Sequence, residues 1–176
     1  MVNTDQITIR KARSQDVPHI RDLVKPYAAE RILLEKEAVA YYESIQEFRV
    51  AEAADGTVLG CGAVHCMWED IAEVRTLAVS PQARGTGTGH RILAALLEDA
   101  RELGIHRVFC LTFEVPFFEQ HGFTVMAEQS AVAPEVFAEL LRSADDGVAE
   151  FLDLARVKQN TLGNTRMIAS LDGASR

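Results

Sequence analysis

The sequence predicts an α+β fold in which a mixed sheet is flanked by helices. Three observations predict it. Strand-like and helix-like segments alternate along the whole chain, with no internal repeat and no low-complexity tract. One strand, 71–80, runs through a glycine-rich turn directly into an apolar helix, 89–104. The segment "RVFCLTF" (107–113) is apolar almost without interruption, as a strand buried on both faces requires.

In order, "ITIRKAR" (7–13) alternates as a half-buried or edge strand would. Next, Ser14 or Asp16 can cap a helix with Pro18 in its first turn and Val17, Ile20, Leu23, Val24 and Tyr27 at helical spacing; Pro26 is expected to kink or end it. A second short helix is expected over 34–45. "EFRVAEA" and "TVLGCGAVHCMW" are extended runs joined at Asp55-Gly56, a hairpin signal. Pro81 ends the strand over 71–80. The helix at 89–104 buries Ile92, Leu93, Leu96, Leu97, Ala100 and Leu103, with Gly104 as its stop. "VPFFEQHGF" reads as a short helix with Pro116 early in it and Gly122 just after it. The remainder reads as a strand, a helix opened near Pro134-Glu135, and extended segments "AEFLDLA" and "TRMIASL".

A chain of 176 residues suits a single domain, 1–176, with one sizeable core. Its formal charge of −8 argues against nucleic acid and against an anionic membrane as partners, so any anionic ligand must be held by local donors. Asp5, Arg10, Lys11, Arg13 and Asp16 are too many early charges for a signal peptide, and no run reaches the roughly 18 apolar residues of a membrane span. A cytoplasmic location is expected. Cys61, Cys66 and Cys110 are an odd number without CxxC spacing, which fits a reducing compartment. In an extended strand Cys61 and His65 share a face that Cys66 does not, so no metal is expected there.

"QARGTGTGHRIL" (82–93) carries the chemistry. Glycines at alternate positions let the backbone approach a bulky group, and the helix start beyond them aims unpaired N–H groups at it. The natural guest is a phosphate. A Walker loop would need Lys and then Ser or Thr after the last glycine, where this chain has His90-Arg91. A dinucleotide fingerprint would need GxGxxG directly after the first strand, whereas the glycines fall at 85, 87 and 89 behind an intervening Pro81–Arg84. A capping loop without a ligand is the bland alternative.

The segment "LAVSPQARGTGTGHRIL" resembles the acetyl-CoA signature of the GCN5-related N-acetyltransferase (GNAT) superfamily, with Arg84, Gly87 and Gly89 at its marker positions; "EVRTLAV" before it and "FFEQHGF" after it extend the likeness over 71–126. The resemblance implies a GNAT-like fold, a mostly antiparallel sheet whose central strands splay, and acetyl-CoA as cosubstrate. It implies a diphosphate held by Arg84, Gly85, Thr86, Gly87, Thr88, Gly89 and His90, and a pantetheine arm along the backbone of Leu77, Ala78 and Val79. It further implies Glu73 as general base and the Leu77 N–H as oxyanion donor. A solvated strand carboxylate is the alternative for Glu73. As strand neighbours, Glu73, Arg75 and Leu77 are expected to share a face.

Where many members of the superfamily carry a tyrosine acid, this chain has Phe118, and its tyrosines, 27, 41 and 42, lie far upstream. His121 is the nearby titratable group, expected to be structural. "LTFEVPFFEQHGF", "EVRTLAV" and "RILLEKEAVAYYESIQEFRVAE" together resemble the acetyltransferase domain of N-acetylglutamate synthases, in a stand-alone form expected to lack the arginine-sensing kinase domain. The acceptor is then L-glutamate, whose carboxylates ask for cations: Arg75 first, and Lys36, Lys158 and Arg166 with Asn164. Another small amine, a protein N-terminus, or a non-catalytic acyl-CoA sensor remain the alternatives. The resemblance also makes a homodimer an expectation.

Overall fold

A computed structural model describes residues 6–126, 132–152 and 163–173. Its strands are β1 (Thr8–Lys11), β2 (Phe48–Glu52), β3 (Val58–Cys66), β4 (Ile71–Val79), β5 (Arg107–Thr112), β6 (Thr124–Val125) and β7 (Thr165–Ser170). They form one seven-stranded sheet in the order β1-β2-β3-β4-β5-β7-β6. Only β4 and β5 pair parallel; every other neighbour is antiparallel. The helices are α1 (Val17–Ala29), α2 (Ala38–Glu43), α3 (Thr88–Glu102), α4 (Val115–Glu119), α5 (Pro134–Leu140) and α6 (Asp146–Phe151).

The local chemistry explains most boundaries. Asp55-Gly56 makes the β2–β3 turn, where Gly56 takes φ +86° and the Asp55 carboxylate accepts from the Thr57 N–H. Gly104 ends α3 at φ +78°. The helix lays Ile92, Leu93, Leu96, Leu97 and Ala100 on the sheet. Each large side chain so buried contributes on the order of 1.5–3 kcal/mol.

Several expectations need correction. Pro26 neither ends nor breaks α1: it sits one turn before the C-terminus, and the helix runs on to Ala29. The second helix shrinks from 34–45 to Ala38–Glu43. Residues 149–152, expected to be extended, belong to α6 or its cap, because Asp145 accepts from the Val148 N–H and nucleates a turn. Leu103 points to solvent, 63% exposed, since it is the C-cap residue of α3 and lies beyond the buried stripe. The single core resolves into three buried clusters: one under α3, one under α1 and α2, and one beneath α5 and α6. A sheet covered on both faces divides its apolar contacts in this way.

Two irregularities position the site. Pairing of β4 with β5 stops at Glu73–Phe109, after which the strands diverge while β5 stays paired with β7 out to Thr112. A bulge also interrupts β3–β4: Ala63 faces Arg75 and Cys61 faces Ala78, so Gly62 stands opposite both Thr76 and Leu77. Thr76 takes φ +57° there, a costly conformation for a β-branched residue. The extra residue inverts the side-chain alternation. Leu77 therefore packs with Val74 on the α3 face, whereas Glu73 and Arg75 project on the opposite face beside α6, and the expectation of one shared wall fails.

Candidate active site

A cleft of about 820 Å³ opens where β4 and β5 part. One wall is β4 from Val74 to Val79, the other is Leu111 to Glu114 with Phe117 and Phe118, and the glycine turn closes one end. Its size falls in the range of small-molecule sites.

At the turn, Gly85 and Gly87 take φ +73° and +80°, and Gly87 is the N-cap of α3. Among the described residues the N–H groups of Gly85 through His90 have no protein acceptor, so six consecutive amides remain available at a helix start. Thr86 braces the turn from behind: its hydroxyl donates to the Ala83 carbonyl at 2.6 Å and lies 2.7 Å from the Thr88 hydroxyl. Arg84 is the local cation. It donates to the Tyr27 hydroxyl at 3.4 Å and stands 5.6 Å above that ring.

Tyr27 is a site residue that periodicity assigned to the apolar face of α1. Its hydroxyl donates to the Val79 carbonyl at 2.7 Å and accepts from the Val79 N–H at 3.4 Å. Of the three backbone positions expected along the cofactor arm, Leu77 and Val79 line the cleft. Ala78 pairs with Cys61 of β3 and buries its methyl under α1.

Beyond the bulge lies a smaller chamber of about 40 Å³ lined by Lys36, Glu73, Arg75, Gly147 and Glu150 among others. Glu73 is 3% exposed and its Oε2 has no hydrogen-bond partner. Burial pushes its carboxyl above the usual range, against the opposing pull of Arg75 and Lys36. The Arg75 guanidinium faces three carboxylates: Asp145 at 2.7 Å, Glu47 at 3.5 Å and Glu73 at 3.7 Å. Burial would raise the Asp145 carboxyl too, but the Arg75 hydrogen bond and charge and the Val148 N–H outweigh it and hold it well below the ordinary value. Lys36 forms no salt bridge among the described residues, and burial followed by repulsion from Arg75 lowers its amine. Gly147 lies against the chamber's charged groups: a Cβ there would come within 2.5 Å of an Arg75 nitrogen, so the guanidinium would have to shift.

Of the other expected residues, Asn164 donates to Glu150 at 2.9 Å and Arg166 to the Glu150 carbonyl at 3.5 Å, so both reach the chamber through Glu150. Lys158 lies outside the described residues. Phe118 is buried against Phe117 and Phe123 and carries no proton to give. His121 meets His90 at 2.8 Å. Asp145 and Gly147 fall where no element was expected and Glu150 in a segment expected to be extended; the Asp145-to-Val148 cap was the available signal. No group of three or more His, Cys, Asp or Glu side chains among the described residues could hold a metal ion.

Comparison with known proteins agrees with this geometry. Residues 44–125 match the family model described as an acetyltransferase (GNAT) domain. An amino-acid acetyltransferase of Mycobacterium tuberculosis is 54% identical over 165 residues, covering 93% of this chain and 94% of that protein. A crystal structure of an M. tuberculosis protein in complex with CoA superposes with a TM-score of 0.88 at 54% identity, covering 93% of this chain and 99% of the other. N-acetylglutamate synthase from Neisseria gonorrhoeae, complexed with coenzyme A and N-acetyl-glutamate, gives a TM-score of 0.76 at 29% identity; the match covers 94% of this chain and 35% of that one. An amino-acid acetyltransferase of Neisseria meningitidis is 39% identical over 69% of this chain, but over only 28% of its own length.

Proposed function

From the premise that the chain belongs to the GNAT acetyltransferase family, and is an acetyl-CoA-dependent N-acetyltransferase, we propose that its acceptor is the α-amine of L-glutamate. The observation that carries the cosubstrate half is the row of six unpaired amides from Gly85 to His90 beside Arg84, which fits a diphosphate in a protein of overall negative charge. Leu77 lines the cleft just after the bulge, and its N–H is the donor we assign to a thioester carbonyl oxygen as charge develops on it.

Across the sheet from Leu77's side chain, Glu73 is the base for the acceptor ammonium. Its buried, unpartnered Oε2 and raised proton affinity suit a carboxylate that must accept a proton near neutrality. The neutral amine then attacks the carbonyl carbon, the C–S bond breaks, and the proton that the nitrogen gives up on becoming an amide passes through water to the departing thiolate, as Phe118 offers none. Lys36, whose charge no carboxylate among the described residues matches at salt-bridge distance, is the readiest partner for an acceptor carboxylate. Arg75 is partly committed to Asp145, so its first effect is to fix the orientation of the acids around it. Coupled acceptor selection by Asn164 and Arg166 would act through Glu150.

The test is a thiol-release assay with acetyl-CoA and a panel of amino acids, with the product identified by mass. L-glutamate should give free CoA and a mono-acetylated product in equal amounts. Release with a different amine alone would refute the acceptor, and no release with any amine would refute the enzyme reading.

A further inference from the structure

His90 sits in the first turn of α3 and lines the large cleft beside Gly85, Gly87 and Gly89. Its Nδ1 lies 2.8 Å from Nε2 of His121, which follows α4, and the two rings stack at 5.1 Å with 22° between planes. Phe117, also in the cleft wall, packs on both: 4.6 Å from His90 and 5.6 Å from His121. Two imidazole nitrogens at that separation need one proton between them, so one donates and the other accepts. The pair can be neutral or carry one extra proton. It cannot carry two without losing the contact.

We propose that His90 and His121 form a proton-sharing pair that binds the diphosphate of coenzyme A together with the glycine turn, so that cofactor binding takes up a proton from solvent. This rests on the coenzyme reading above. The nitrogen of His90 not engaged by His121 is Nε2, and it bears N–H both when Nδ1 accepts from His121 and when the ring is an imidazolium donating through Nδ1. In the free protein, burial and then the neighbouring His90 lower the proton affinity of His121. A diphosphate reverses the balance by favouring the charged pair. The charged groups lining the same cleft are Arg84, Arg75, Glu30 and Glu114; His90 is the titratable neighbour that acts on His121.

Dephospho-CoA is the probe, because its diphosphate does not titrate near neutrality whereas the 3′-phosphate of CoA does. Calorimetry in two buffers of different ionisation enthalpy should record net uptake of roughly half a proton or more per site near neutral pH, and binding should tighten about three- to tenfold as pH falls from about 8 to about 6. His90→Gln and His121→Gln keep an amide hydrogen bond but cannot titrate, so each should reduce the uptake, and the double substitution should abolish it and flatten the pH profile. In the wild-type protein the His121 imidazole, lowered in the free protein, should titrate at higher pH with probe bound, read by NMR without any variant. Uptake seen with CoA but not with dephospho-CoA, uptake that survives both substitutions, or an unmoved imidazole overturns the proposal while leaving the coenzyme site intact. Absence of binding heat from either ligand at every pH overturns the coenzyme reading itself.

Discussion

Glu73 shows how one side chain gets its chemistry from its surroundings. A strand carboxylate is ordinarily solvated and ionised well below neutrality, but here burial dominates, Oε2 has no hydrogen bond, and Arg75 at 3.7 Å is too far to donate one. Since the raised proton affinity belongs to the group that must be deprotonated to act, rate is lost as pH falls through that raised value. A pH profile of kcat/KM should therefore show an acid limb above the ordinary glutamate value of 4.5. Glu73→Gln should lower kcat by about 10²-fold and remove the limb. A variant that keeps both rate and limb would take Glu73 out of the mechanism.

At the scale of elements, the bulge in β4 and the cap of α6 decide what meets what. The bulge sends Leu77 to the α3 face, and Gly62 opposite it leaves room for α3: a Cβ there would come within 2.9–3.0 Å of Leu96, Ile92 and Leu77. Gly62→Ala should consequently cost about 1–3 kcal/mol in denaturant unfolding through overpacking, while an unchanged midpoint would show that α3 is less tightly seated. Asp145 joins two elements, since one oxygen accepts from the Val148 N–H at 3.0 Å and from Arg75 at 2.7 Å. Asp145→Ala should lose about 1 kcal/mol of cap energy. It should also raise KM for the amino acid through a freed Arg75, and Asp145→Asn should recover the stability more fully than the KM. Equal recovery of both would mean that the charge on Asp145 does not matter to the acceptor.

Across the whole molecule, ion pairs tie the N-terminal strand to the rest. Asp99 of α3, 4% exposed, receives Arg49 of β2 at 2.6 Å and Lys11 of β1 at 3.0 Å, and Asp16 receives Arg10 at 2.7 Å. Burial opposes the ionised form of Asp99, but the hydrogen bonds from Arg49 and Lys11 prevail and depress its value; Arg10 likewise depresses that of Asp16. Carboxyls lowered in the folded state stabilise it fully above their unfolded value of 3.8 and lose that contribution as pH drops below it. Stability should fall steeply below about pH 4, and Asp99→Asn should lower the melting temperature at neutral pH while flattening its fall in acid. Parallel melting curves for both proteins at every pH would exclude Asp99 from the linkage. Among the described residues, no helix is long and apolar enough to cross a membrane.

The sequence by itself determined most of the elements and the glycine turn. Local signals suffice for these, because a hairpin at Asp55-Gly56, a helix stop at Gly104 and the left-handed glycines 85 and 87 are set by residues adjacent in the chain. Only the tertiary structure decided which face Leu77 occupies, that Tyr27 reaches Val79, that His121 pairs with His90, and that Asp145 meets Arg75 beside the smaller chamber that Glu150 lines. The physical reason is range. A bulge inverts a strand's alternation without leaving a mark in hydrophobic periodicity, and partners 31 to 70 residues apart meet only through the packing of the sheet.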